Sequence, residues 1–225
     1  MRRLRKMRGE VSAAASDPQK ASGSGRISER LTAMQNVKTK TGKSPARTVA
    51  VSACVCALAT VVPQLFHLLG GKPMGNVFLP MHLPVILGGY LLSPTAALVC
   101  GVLSPLFSFF ISGMPAFPRL IFMMLELGAY GFITSLCVRK FRLPVFITLP
   151  LTWLGGRAVF LASVAFALHV LGLTVQGMPS AWATVWTAVT TGFPGLILQA
   201  VAVPLLVAAL RKARLLSDAP RFGKL

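Results

Sequence analysis

Residues 78–115 read FLPMHLPVILGGYLLSPTAALVCGVLSPLFSFFISGMP, with no Lys, Arg, Asp or Glu and a single histidine, His82, between Pro80 and Pro84. The SPT triplet at 93–95 divides the stretch into two apolar segments, 77–92 and 94–112. The second has about the 20 residues that a bilayer requires, whereas the first is shorter and interrupted by proline. What surrounds these segments decides how the histidine is to be understood.

Outward from this stretch the pattern repeats. Further apolar segments run over 46–69, 117–138, 145–171 and 182–210, punctuated by GGKPMGN, SGMPAFP, FRLP and QGMPS. Hydrophobic residues make up 54% of the 225-residue chain and charged residues 12%, half of what a soluble domain carries. Mean hydropathy is +0.70. The expected fold is all-α: a polytopic membrane protein of six transmembrane helices over 45–211, between a basic disordered tail at 1–44 and a basic tail at 212–225.

The formal net charge of +18 invites a nucleic-acid reading, but its distribution opposes one. Twelve Lys and Arg residues precede Thr48, three lie at 139–142 and five follow Leu210. Basic residues gathered in tails and one short loop are topology signals, so no nucleic acid is expected. The regions expected outside hold Lys72 and Arg119 alone, while Arg157 is embedded in a span. This asymmetry places both termini in the cytoplasm and the protein in the cell membrane, with the lipid bilayer as its solvent. The basic leader is too long for an ordinary signal peptide.

Two decoys are set aside. TGKS at 41–44 resembles the end of a phosphate loop, but the position of its first glycine holds Val37 and no strand precedes it. Cys54, Cys56, Cys100 and Cys137 sit in apolar segments without paired CxxC spacing, so they read as small buried hydrophobes and no metal or cofactor is expected.

Depth arithmetic identifies the polar residues worth following. Glu126 lies seven residues below Arg119, roughly 10 Å beneath the outer face at 1.5 Å per residue. Arg157 lies fifteen residues above Arg142, roughly 22 Å from the inner face, hence some 8 Å below the outer one. Opposite charges thus fall at one level on neighbouring segments. Neither should face lipid, where each costs about 2.5–3.5 kcal/mol. They either pin two helices together or line a solute cavity, and the two roles are compatible. Arg119, Met123, Glu126 and Tyr130 form one helical stripe. Trp186 stands one turn deeper than Trp182, the latter an interfacial anchor, and is placed to stack on a planar solute. His82 enters from the outer rim near Asn76, where Pro80 and Pro84 leave carbonyls to be satisfied by protein or a water-filled cavity. His67 and His169 have no evident partners.

In order, the stretch at 78–115, MMLELGAYGFITSL at 123–136 and GGRAVFL at 155–161 resemble the substrate-binding S components of energy-coupling factor (ECF) transporters. The resemblance covers nearly all of 46–210, and the long basic tail has no counterpart in it. It implies a membrane subunit that captures a vitamin or vitamin precursor from outside and has no ATPase of its own. Its implied partners are a transmembrane coupling subunit and two cytoplasmic ATP-binding subunits. The substrate region it implies matches Glu126, Tyr130, Arg157 and Trp186, with Asn76, His82 and Arg119 at the rim. It also implies that small residues on the first helix meet the coupling subunit: Ala46 with Ala50, and Ala53 with Ala57. Pantothenate, a pyrimidine or thiamin precursor, niacin, riboflavin, folate and cobalamin all remain open.

Three other classes compete. A six-span intramembrane protease needs a serine in a GxSG-like setting and a histidine on a later helix. Ser104, Ser112 and a last segment without histidine do not supply these, and no enzyme is expected. A self-contained secondary transporter is expected to show repeated halves, and none is evident. A structural membrane protein would use Glu126 and Arg157 for architecture alone.

Overall fold

The computed structural model describes residues 45–172, 180–213 and 215–216, with backbone alone for residues 67 and 69–76. Among them are seven helices and no strand. These are α1 (Pro45–Phe78), α2 (His82–Leu91), α3 (Pro94–Ser112), α4 (Arg119–Arg139), α5 (Val145–His169), α6 (Ala181–Thr191) and α7 (Phe193–Lys212). The basic segment at 1–44 and most of the carboxyl-terminal tail lie outside the described residues.

Helices α3, α4 and α5 follow the expected spans to within two residues, because each apolar run is closed by a local stop signal. Ser93 caps α3, its hydroxyl accepting from Ala96 N at 3.4 Å, with Pro94 in the first turn where its missing N–H costs nothing. Gly113 ends α3 in the left-handed conformation at φ 68°. Three expectations require correction. GGKPMGN, read as a turn, continues α1 to 34 residues. Its glycines and proline lower helix propensity without ending the helix. The expected last span is two helices, broken at Gly192 where Pro194 in the first turn of α7 cannot extend the preceding helix.

The third correction concerns span number. Five described helices are long and apolar enough to cross a bilayer. The one remaining expected span, 77–92, holds α2 of ten residues and about 15 Å, half the hydrocarbon thickness. This short helix is buried on several sides, through Val85, Ile86, Gly88, Gly89 and Tyr90. Leu127 and Tyr130 of α4, Leu149 of α5 and Val203 of α7 join it in the main core. Large apolar side chains such as Leu58, Phe110, Phe146, Leu154 and Leu205 point outward. An apolar exterior of this extent is what a hydrocarbon surrounding demands.

Helix α4 packs against α2, α3 and α5. Its contact with α3 is made through backbone. A Cβ on Gly101 would collide with the Leu127 carbonyl, and one on Gly131 with the Ala97 carbonyl. Small residues of this kind let helices approach where lipid supplies no hydrophobic drive between them. The far end of α2 is tied to α4 as well. Arg139 donates from Nε to Leu92 O at 2.7 Å and from Nη2 to Leu91 O at 2.9 Å, while the Ser135 hydroxyl donates to Leu92 O at 2.7 Å. These donors satisfy carbonyls that a helix terminus otherwise leaves open, with a cation at the negative end of the helix dipole.

Candidate functional site

The chain leaves α1 through Leu79, at φ 48°, and His82 N donates to Leu79 O at 3.1 Å to open α2. This turn sits against α7, where a Cβ on Gly195 would come within 2.6 Å of the Phe78 carbonyl oxygen. Pro84 is the third residue of α2, a position whose N–H has no partner within the helix. The prolines flanking His82 therefore start a helix rather than break one. The start is placed so that the imidazole, 2% exposed, points into the bundle.

Three other side chains meet it there. Glu126 and Tyr130 stand one turn apart on α4, 3% and 0% exposed. Arg157 of α5 brings Nη1 to 2.8 Å from Glu126 Oε1. His82 Nε2 lies 3.8 Å from the same oxygen, and its ring stands edge-on to Tyr130 with centroids 5.1 Å apart. The Tyr130 ring fits over Gly156, where any Cβ would collide with it. Glu126 is the sole acidic residue between positions 30 and 217, and the structure brings it to the embedded arginine.

Much of this polar capacity is unspent. His82 Nδ1 and Nε2, Tyr130 Oη, and Arg157 Nε and Nη2 are buried without a hydrogen-bond partner among the described residues. Glu126 Oε1 is in charge contact with Arg157, but the N–H is not aligned on it as a hydrogen bond. Native proteins pair nearly all such groups, because each one left open costs about 1–3 kcal/mol. They are concentrated on three helices, α2, α4 and α5.

The other expected residues are not drawn in. Arg119 is exposed at the first residue of α4, and Trp186 and Trp182 are 62% and 69% exposed on α6. The stacking expected of Trp186 is thus not seen in this arrangement. The side chains of Asn76 and His67 lie outside the described residues, and His169 is exposed. Ala46, Ala50, Ala53 and Ala57 all lie on the exposed surface of α1. Cys54 is exposed with them, against expectation, while Cys56, Cys100 and Cys137 are buried. Among the described residues no group of three His, Cys, Asp or Glu side chains is arranged to hold a metal.

Sequence reasoning missed Trp153 and Gln199. Trp153 lies one turn from Arg157 on α5, and its Nε1 donates to Gln199 Oε1 of α7 at 2.9 Å. Gln199 is 1% exposed and its Nε2 has no hydrogen-bond partner among the described residues. The i, i+4 spacing of Trp153 and Arg157 was the available signal, together with a lone amide in an apolar run. A separate groove of about 480 Å³ opens between α4 and α5. Phe117, Ile121, Leu125, Val159 and Phe166 line it, so it is apolar and does not include the charged pair.

The model of one family matches residues 47–207, from the first turn of α1 to the last turns of α7; the family is described as ECF transporter, substrate-specific component. No curated protein and no solved structure matches the chain. The family match spans well over half of the sequence and all four residues of the buried polar cluster, and the chain belongs to the substrate-specific components of ECF transporters.

Proposed function

We propose that this protein captures a vitamin or vitamin precursor at the outer side of the cell membrane and hands it inward with an energising complex. The observation that carries the reading is the set of buried, unpartnered polar atoms on His82, Glu126, Tyr130 and Arg157. In a substrate-specific component, a solute that supplies the missing hydrogen bonds gives these groups a purpose. Trp153, one turn from Arg157 on α5, is bonded to Gln199 and offers a further polar pair to the solute.

Both termini face the cytoplasm in this proposal, from the gathering of basic residues before Thr48, at 139–142 and after Leu210. The end of the bundle that holds His82 and Arg119 then faces outward. A transmembrane coupling subunit docks on α1, where Ala46, Ala50, Ala53 and Ala57 let a partner helix approach closely. Two cytoplasmic ATP-binding subunits supply the energy.

The test is mass spectrometry of small molecules released by denaturing the purified protein, paired with uptake by vesicles. The lone protein is expected to retain one solute, and uptake to require the coupling and ATP-binding subunits. Equal uptake by the lone protein and the complex overturns the dependence on partners. Unchanged binding by both Glu126→Gln and Arg157→Gln, with earlier melting alone, makes the pair a helix staple instead.

A further inference from the structure

Arg157 presents two edges to its surroundings. Nη1 faces Glu126 Oε1 at 2.8 Å, whereas Nε and Nη2 are buried and unpartnered among the described residues. These two nitrogens share one side of the planar guanidinium, and their N–H bonds run parallel. That edge matches a planar group with two acceptor oxygens and is the usual seat of a bidentate carboxylate. Glu126 cannot fill it, because its contact is made with the opposite nitrogen.

From this unfilled edge we infer that the solute is a carboxylic acid whose carboxylate docks side-on against Arg157. The inference rests on the capture function proposed above and deepens it. Glu126 holds the arginine in place from behind, as a positioning residue. His82 and Tyr130, both buried and without a hydrogen-bond partner among the described residues, stand beside the same acid to hydrogen-bond it or the atoms next to it. Among anions, charge favours a monoanion over a dianion. One guanidinium shared between Glu126 and a carboxylate leaves one excess negative charge, whereas a phosphate dianion would leave two in a water-poor setting. A solute bearing only a cation would leave both arginine donors empty and add a charge beside the guanidinium.

The test compares each acid with a partner that lacks only the charge. Wild-type full-length protein in lipid nanodiscs is titrated with nicotinate against nicotinamide and with pantothenate against panthenol, and with the co-purified solute against its primary amide if that solute is an acid. At least one acid is expected to bind a hundredfold more tightly than its neutral partner. Arg157→Lys, which keeps the charge but loses the parallel donors, is expected to weaken that acid at least tenfold. It should weaken a neutral partner less than threefold. The inference is overturned if acid and neutral partner bind within threefold of each other, or if the retained solute has no carboxylate. In those cases solute capture itself stands. If no probe binds and nothing is retained through purification, the capture function falls together with the acid.

Discussion

The two ends of α4 treat polar groups in opposite ways. Towards its carboxyl end, Ser135 and Arg139 are bonded to the open carbonyls of Leu91 and Leu92, and Thr134 shares its hydroxyl with Thr152 of α5 at 3.0 Å. One to three turns away, Glu126, Tyr130, Arg157 and His82 meet with most of their donors and acceptors unused. Both groups are buried and both join the same helices. Burial of polar atoms therefore does not by itself mark a functional site. The informative difference is whether the groups satisfy one another.

Substitutions can break or sharpen this contrast. The largest effect is expected from Arg157→Ala, which strands Glu126 in the interior. It should cost about 3–5 kcal/mol of stability and reduce solute affinity beyond detection, read by thermal melting and by titration of the retained solute. Next, Arg139→Ala removes one donor from each of two helix-end carbonyls, with Leu92 O keeping the Ser135 hydroxyl. It should cost about 2–4 kcal/mol yet leave the affinity of the folded fraction unchanged. A joint change of Glu126→Leu and Arg157→Met should abolish binding with stability unchanged, or raised by about 1–4 kcal/mol, because a buried ion pair is often no more stable than its apolar replacement. A fall in stability like that of the single change would show that the pair is needed for folding.

Smaller effects follow. His82→Phe preserves the ring against Tyr130 and removes two unpartnered nitrogens. Affinity should drop about tenfold, near 1.4 kcal/mol, with the melting temperature unchanged or higher. The double change Thr134→Val with Thr152→Val removes a mutually satisfied pair, so melting and binding should both stay within about 0.5 kcal/mol of wild type. A binding loss there would extend the solute site beyond the end proposed for it.

The sequence was most legible where chemistry is one-dimensional. Helices α3, α4 and α5 could be read from hydropathy bounded by proline and glycine, and depth arithmetic was enough to set Glu126 level with Arg157. It was least legible where the direction of a side chain matters. In lipid both faces of a helix are apolar, so little in the pattern of α6 says that Trp186 is exposed, or in α7 that Gln199 is enclosed. Propensity also misled at both ends of the bundle. Gly70, Gly71 and Pro73 stayed within α1, while Pro194 did stop a helix. The difference is positional, since Pro194 lies in the first turn of a new helix, where its ring fits without cost.

The meeting of α3 and α4 at Gly101 and Gly131 has a mechanical consequence. At these two crossings main chain is pressed on main chain, with no flexible side chain between the helices to slip or repack. They form one stiff plank, so a tilt given to α3 is passed whole to the carboxylate of Glu126. Adding a bulky group at either glycine would prise the plank apart and shift Glu126 against α3.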